Sequence, residues 1–260
     1  MLHYKAAELD FPTNWGVMLI APVVDRVSIV LLGNFNPAIF TPAWFAQNQL
    51  VSREDSDKAD VKVVHPDYSQ FTVGELTISV EHQRFIVACD APRYDMVKDL
   101  AIGAFGNVLF HTPLRGIGIN REFHFDAGSF LARDAVGARL APREAWGDWG
   151  PYLQNDGKDL AEFGGLLSIS LREMHLKSEF RGFVQADLQP SMLPQLGTSG
   201  IFMVVNNHYE IKSEGAGKST DRMVMLLEQE WGAANTKCEF ILEQIQKLTL
   251  ECIEMVSKKK

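Results

Sequence analysis

The chain has 260 residues, of which 46% are hydrophobic and 22% are charged, and its formal net charge at pH 7 is −8. This length and composition are typical of a globular protein that buries its core without disulfides or a structural metal. The excess of negative charge argues against nucleic acid as a partner, because phosphate binding depends on a basic face. No run of about 18 apolar residues is present, so we expect no contact with a membrane and a cytoplasmic protein.

The first half of the chain predicts a strand, a helix, three strands and a second helix. The apolar positions change parity beside Gly74, which indicates a β-bulge or a tight turn. Thr41 followed by Pro42 marks the start of the first helix. The predicted elements are a strand over Asp25–Phe35, a helix over Pro42–Leu50, an acidic loop over Arg53–Asp60, strands over Val61–His65, Phe71–Val80 and Arg84–Cys89, and a helix over Pro92–Phe110.

The second half repeats this order of elements. The apolar positions of its second strand change parity between Leu171 and Met174, which suggests an irregularity like the one beside Gly74. The predicted elements are a strand over Arg115–Phe125, a helix over Ser129–Leu140, a long ordered loop over Ala141–Glu162, strands over Leu167–Leu176, Arg181–Leu188 and Ile201–Ile211, and a long helix from Val224.

This order predicts an α+β fold of two tandem β-α-β-β-β-α units. The first unit covers residues 1–125, with an N-terminal extension and a bridging strand, and the second covers residues 126–260. Antiparallel strands of two such units can join into one curved sheet that has its helices on one side. We therefore expect the two units to form one cooperative domain that ends in a long C-terminal helix.

The last helix carries apolar residues at alternating spacings of three and four. Such a pattern is typical of a dimeric coiled coil, which would give self-association through the C-terminal helix. Leu242, Phe240 and Leu250 widen the stripe beyond a coiled-coil seam. A wide stripe favours a helix that lies across a sheet of its own chain.

Residues 215–220 read GAGKST and resemble the end of a phosphate-binding loop. The full pattern requires glycine at position 212, where the chain has Lys212. The strand before it also appears antiparallel, whereas phosphate-binding loops follow a buried parallel strand. A loop with Thr220 or Asp221 capping the last helix is therefore the favoured interpretation.

Two predicted strands each have one polar face. Asn120, Glu122 and His124 alternate with isoleucine and phenylalanine, and Asn206, His208 and Glu210 alternate with apolar residues on the other strand. Histidine beside glutamate is suited to acid–base catalysis or metal binding. An antiparallel sheet with one solvated face predicts the same pattern without any chemistry.

Arg121 and the tryptophan loop are further candidates for binding. Strict alternation places Arg121 among buried residues, where it needs a carboxylate partner or binds an anion. Trp146 and Trp149, together with Tyr152, lie in the predicted loop and form either a recognition surface or packing under that loop. The three cysteines, Cys89, Cys238 and Cys252, lack CxxC spacing, so neither a disulfide framework nor a zinc site is predicted.

Several phrases of the chain resemble a sporadically distributed family of bacterial proteins of about this length. The resemblance extends over nearly the whole chain and implies a bacterial, cytoplasmic protein. Because no activity is established for this family, it assigns no catalytic residue. Its patchy distribution is typical of mobile, defence-associated or toxin–antitoxin genes. The phrases are FNPAIFTPAWF (35–45), HPDYSQFTVG (65–74), HTPLRGIGINREFHF (111–125), RLAPREAW (139–146) and VNNHYEI (205–211).

These observations favour a non-enzymatic binding or regulatory protein that engages a protein partner, as an accessory component of a bacterial defence or toxin–antitoxin system. We expect neither a cofactor nor a metal. The alternatives are a hydrolase or nuclease that uses the histidines and glutamates, with a metal, and a sensor of a nucleotide or small molecule. The predicted binding residues are Asn120, Arg121, His124, Asn206, His208, Trp146 and Trp149.

Overall fold

The computed structural model describes residues 20–90, 93–153, 164–175, 179–211 and 219–258. Within these ranges nine strands form one open antiparallel sheet in the order β2-β3-β4-β5-β1-β6-β9-β8-β7. The strands are β1 (Val24–Gly33), β2 (Asp60–Val64), β3 (Tyr68–Val73), β4 (Leu76–Glu81), β5 (Arg84–Asp90), β6 (Leu114–Asp126), β7 (Ile169–His175), β8 (Gly182–Pro190) and β9 (Gly200–Glu210).

The helices begin where local side chains satisfy their first backbone N–H groups. Thr41 accepts a hydrogen bond from the N–H of Trp44 at 3.1 Å, and Ser129 accepts one from Ala132 at 3.2 Å. The helices are α1 (Pro42–Gln47), α2 (Arg53–Asp57), α3 (Asp95–Ile102), α4 (Phe130–Leu140) and α5 (Ser219–Ser257), with a π-helical turn over Gly103–Val108 and 3-10 turns over Pro37–Ile39, Arg143–Tyr152 and Pro194–Ser199.

The predicted α+β fold is confirmed. The strands β1, β5, β4 and β3 neighbour one another in one half, as β6, β9, β8 and β7 do in the other, and the two halves meet where β1 pairs with β6. The pairing of β6 with β9 continues the sheet across the predicted boundary at residue 125. The division into two units of one cooperative domain stays a prediction.

Three local predictions need correction. The acidic segment after residue 52 is the helix α2, because the Ser52 hydroxyl caps it by accepting from the N–H of Asp55 at 2.9 Å. The tight turn, one of the two alternatives predicted beside Gly74, is confirmed by the φ of +58° at Gly74. It divides the single strand predicted over Phe71–Val80 into β3 and β4, so the first half has one strand more than predicted. β7 pairs with β8 in regular register from residue 169 to residue 175, so the irregularity predicted there is absent from the described part of that strand.

The helices pack on one face of the sheet, and their buried side chains form two hydrophobic clusters with the strands. The first cluster joins α1, α3 and the start of α5 to β1, β3, β4 and β5, and includes Phe40, Phe45, Phe71, Phe85 and Phe105. The second joins α4 and the rest of α5 to β6, β8 and β9, and includes Phe123 and Phe125. Each fully buried phenylalanine contributes about 1.5–3 kcal/mol.

The helix α5 crosses both clusters. Its buried stripe includes Met223, Leu227, Trp231, Cys238 and Cys252, so the predicted burial within the chain is what the structure shows. Self-association through this helix stays a prediction. Among the described residues, no helix combines the length and apolarity that crossing a bilayer requires.

Candidate binding site on the open sheet face

The face of the sheet opposite the two clusters, here called the open face, carries a continuous row of polar side chains. Strand pairing places one residue from each of eight neighbouring strands directly beside the next, and the row spans roughly 34 Å at about 4.8 Å per strand. All but one of its members have a hydroxyl, amide or guanidinium group. We call it the polar row: Thr72, Thr77, Ala88, Ser28, Asn120, Asn206, Gln185 and Arg172.

Asn120 and Asn206 form the centre of the polar row. The Asn120 amide nitrogen donates to the Ser28 hydroxyl at 3.4 Å. Both side-chain carbonyl oxygens are buried and have no hydrogen-bond partner among the described residues. A Cβ atom added to Gly118 would lie 3.0 Å from the Asn206 oxygen and 3.5 Å from the Asn120 oxygen. The two amides therefore occupy the space that the glycine leaves empty.

A second row, largely apolar, runs beside the polar row. His208 pairs with Gly118 on β6 and with Phe183 on β8, and its ring lies 4.9 Å from the Phe183 ring. Burial lowers the pKa of His208 below its usual range, so the ring is neutral near neutral pH. The row consists of Ile86, Val30, Gly118, His208, Phe183 and Met174.

One end of the polar row is held by hydrogen bonds between side chains. Arg172 donates to the Gln185 carbonyl oxygen at 2.6 Å, and the Gln185 amide donates to Asp187 at 3.0 Å. The Arg172 guanidinium lies 3.8 Å from the centre of the Phe183 ring. These side chains were not predicted as site residues. The alternation of side chains along each strand is enough to predict that they lie on the open face. It does not predict that they lie beside Asn206, because that depends on the register between strands.

The open face has a negative balance of charge around the polar row. Arg26 pairs with Asp90 at 2.7 Å and Arg84 pairs with Glu81 at 2.8 Å, so these ions cancel. Three more carboxylates lie on this face, those of Glu122, Asp187 and Glu210. Near them are Arg172 of the polar row and Arg181, whose backbone carbonyl accepts from the N–H of Glu210 at 2.8 Å. Positively charged or hydrogen-bond-donating groups are favoured at such a surface.

His124 lies at the edge of the open face in an arrangement that superficially resembles a catalytic triad. Its Nδ1 lies 2.9 Å from the Ser191 hydroxyl and its Nε2 lies 3.5 Å from a Glu122 oxygen. Ser191 is fully buried, and its oxygen also accepts from the N–H of Leu193 at 3.1 Å. A nucleophile must reach its substrate, whereas the buried Ser191 hydroxyl joins the end of β8 to β6 through His124.

The two histidines of the polar strand faces lie far apart. His208 pairs with Gly118, six residues before His124 on β6, which places the rings roughly 20 Å apart along the strand direction. No single metal can bind both. Among the residues that the structure describes, no three His, Cys, Asp or Glu side chains are grouped to hold a metal ion.

Arg121 lies on the covered face of the sheet, away from Asn120 and His124. Its guanidinium binds both oxygens of Asp25 at 2.8 Å and the Tyr94 hydroxyl at 2.9 Å, and it contacts Glu239 at 3.5 Å. Only 2% of its side chain is exposed. Two roles were predicted for Arg121, pairing with a carboxylate and binding an anion. The structure shows the first, because Asp25 occupies the guanidinium.

Within the predicted tryptophan loop, Arg143–Tyr152 form a 3-10 segment next to α4, and residues 154–162 lie outside the described residues. The Trp146 and Trp149 rings meet edge to face with their centres 5.6 Å apart, and Arg143 ties the segment to Asp134 of α4 at 2.6 Å. Since α4 packs on the covered face, the structure does not bring these rings together with Asn120 and Asn206.

Residues 215–218 of the GAGKST segment lie outside the described residues. The last two residues of the segment, Ser219 and Thr220, begin α5. Ser219 donates to the carbonyl of Thr112 at 3.1 Å, and Thr220 donates to that of Phe110 at 2.7 Å. Thr220 is fully buried, so it holds α5 against the preceding connection and does not cap the helix as predicted.

No protein-family model matches the sequence, and comparison with curated proteins gives no match.

Proposed function

We propose that this chain is a non-enzymatic binding protein whose open face binds an extended segment of a protein partner. The observation that supports the proposal is the pair of buried amide oxygens, on Asn120 and Asn206, that have no partner at the centre of the polar row. A buried acceptor without a donor costs about 1–3 kcal/mol, so native proteins rarely keep one without a reason. Both residues are themselves partly exposed, so rotation of either amide presents its oxygen to a ligand on the open face, and a donor there recovers this free energy.

The chemistry of the open face indicates which partner segments it favours. Each central amide has a carbonyl oxygen without a partner among the described residues, so the ligand supplies N–H donors to it from its backbone or from basic side chains. The three carboxylates of Glu122, Asp187 and Glu210 also favour lysine and arginine in the ligand. The rings of Phe183 and His208 beside the amides offer apolar contact to the stems of such side chains. The proposed ligand is therefore an extended, basic peptide segment.

The hydrolase alternative has weaker support. It needs His124 and His208 to act with a shared metal or an accessible nucleophile, but the register of β6 and β9 separates the two rings and Ser191 is fully buried. The accessory role in a bacterial defence or toxin–antitoxin system belongs to the same proposal, and it rests on the family resemblance.

A displayed library of random extended peptides tests the proposal with purified protein. We expect the enriched peptides to carry lysine and arginine, and to bind with an affinity that falls with rising salt concentration. Asn120→Leu/Asn206→Leu keeps similar volume but removes the acceptors, so it should weaken binding by roughly tenfold or more.

The matched control is Gln70→Leu, an amide on the open face of β3 that lies outside the polar row. This variant should bind the enriched peptides as the wild type does. Enrichment of acidic peptides, or binding that survives the double substitution, would refute the proposal.

A further inference from the structure

The aromatic segment after α4, residues Arg143–Tyr152, exposes three large rings. Trp146 is 53% exposed, Trp149 is 56% exposed and Tyr152 is 80% exposed. With about 150–250 Å² for each aromatic side chain, they leave roughly 300–450 Å² of aromatic surface in water. That is as large as the largest apolar patch of a typical monomer, which is about 300–600 Å² and often a binding site.

The segment is held in a fixed position. Arg143 binds both carboxylate oxygens of Asp134 at 2.6 and 2.7 Å, and both side chains are about three-quarters buried. Gly150 packs against the Arg143 carbonyl so closely that an added Cβ would lie 2.2 Å from it. The rings are thus presented by a preorganised backbone, which lowers the entropy cost of binding.

A groove of about 720 Å³ lies beside this segment, between α4 and the end of α5. Its walls carry small and apolar side chains, and Arg143 and Glu144 of the aromatic segment form part of its rim. Leu131 is 52% exposed and Met255 is 38% exposed. The apolar lining is Leu131, Ala135, Ala138, Pro142, Met255 and Val256.

We propose that a second copy of this chain covers this surface, with Trp146 and Trp149 of each protomer inserted into the α4–α5 groove of its partner. Rings and groove lie side by side on one chain, so a two-fold axis between them makes both contacts twice. A standard interface buries about 800 Å² per protomer. Trp146 and Trp149 supply roughly 160–270 Å² of that area, so the surfaces that surround the rings and the groove must supply most of the rest.

Charge also permits this contact between two chains that each carry −8. Both arginines of the groove are already paired within their own chain, Arg143 with Asp134 and Arg139 with Glu251 at 3.3 Å. These two pairs cancel four charges at the groove and leave the Glu144 carboxylate at its rim. This surface is separate from the open face, so the dimer leaves the polar row free.

Light scattering coupled to size-exclusion chromatography, run over a wide range of protein concentrations, tests the proposal. We expect a dimer for the wild type and a monomer for Trp146→Ser/Trp149→Ser, with a dimer Kd raised by roughly 100-fold or more. Leu131→Asp places a charge in the groove and should have the same effect. Because Leu131 lies in the first turn of α4, an aspartate there favours the helix, and the variant should fold.

Mixing the two variants separates ring-in-groove contact from other modes of association. The Leu131→Asp protein keeps its rings and the tryptophan double variant keeps its groove, so their mixture should form a heterodimer with one intact contact. Met192→Ser changes a side chain that is 65% exposed elsewhere and should remain a dimer. A monomeric wild type, a dimer that survives both disruptive variants, or a mixture that stays monomeric would overturn the proposal.

Discussion

Arg121 and Asn207 lie on the covered face of neighbouring strands, at positions where alternation would otherwise place apolar residues. Arg121 binds Asp25, Tyr94 and Asn235, while the Asn207 amide contacts the Ala234 carbonyl at 3.4 Å and the Cys238 sulfur at 3.2 Å. Burial raises the pKa of Cys238 to about 12, so its thiol stays protonated. These groups lie between the two hydrophobic clusters and fix the position of α5 on the sheet.

The ion pair of Arg121 and Asp25 should be important for stability. Arg121→Ala leaves the Asp25 carboxylate, 22% exposed, without its partner, and we expect a loss of about 3–5 kcal/mol in the free energy of unfolding. Urea unfolding measures this loss. The neighbouring pair of Arg26 and Asp90 is 40% and 66% exposed, so Arg26→Ala should cost less than about 1 kcal/mol. Equal costs for the two substitutions would contradict the prediction.

The pKa values of three partly buried histidines predict how the stability of the fold depends on pH. Burial lowers the pKa of His124, His175 and His208 below the ordinary value of 6.5. Well above pH 6.5 they are neutral whether the chain is folded or unfolded, and they do not affect stability. As the pH falls below about 6.5, the three histidines bind protons in the unfolded chain but stay neutral in the folded chain. The free energy of unfolding therefore decreases.

Thermal unfolding between about pH 7.5 and pH 5 checks this dependence. Asp67 raises the pKa of His82 and opposes the trend, but that pair is exposed and its effect is small. His124→Gln should make the profile less steep. Stability that is constant or increases on acidification would show that the three rings titrate normally in the folded state.

At the scale of elements, side-chain alternation was enough to predict most strands, and the capping pair Thr41-Pro42 predicted the start of α1. The helix α2 was missed because its sequence, REDSD, has no apolar residue to reveal a period. The prediction of an irregularity in β7 was wrong because β7 is an edge strand. Leu171 and Met174 are both exposed there, so their parity does not indicate which face of the strand is buried.

The candidate site was predictable only in part. The alternation of side chains predicted that Asn120, His124, Asn206 and His208 lie on a polar face of the sheet. The structure places all four on the open face. The pairing of β6 with β9 joins residues about 90 positions apart along the chain, and local sequence patterns carry no signal for it. The polar row, and the contact of Ser191 with His124, could therefore not be predicted.

Two glycines give opposite predictions for the same substitution. Gly182 begins β8, and an added Cβ would lie 1.8 Å from the His208 carbonyl oxygen, which is fixed in β9. Gly182→Ala should therefore separate β8 from β9 and lower stability by at least about 1–3 kcal/mol. Gly232 lies inside α5 with nothing within 4 Å of an added Cβ, so Gly232→Ala should stabilise by about 0.5–1 kcal/mol. Urea unfolding of both variants provides the comparison.

At the scale of the whole molecule, two features join the halves. β6 lies next to the central strand of the sheet and pairs with β1 on one side and with β9 on the other. The helix α5 belongs to the second half by sequence, yet its residues Met223, Leu226, Leu227 and Trp231 lie in the first hydrophobic cluster. At about 1.5–3 kcal/mol each, these four side chains contribute roughly 6–12 kcal/mol, which is comparable to the whole stability of a typical domain.

Cutting the chain in the link between Phe125 and Ser129 tests this interdependence. The first fragment would expose the edge of β6 that pairs with β9, and the second would expose the edge of β9 together with the four side chains of α5. Each fragment alone should aggregate or lack cooperative unfolding, because unpaired edges and apolar surface favour association. Co-expressed fragments should form a soluble complex with the circular dichroism and thermal transition of the intact chain. Two soluble fragments that each fold cooperatively would instead show that the molecule consists of two independent domains sharing a sheet.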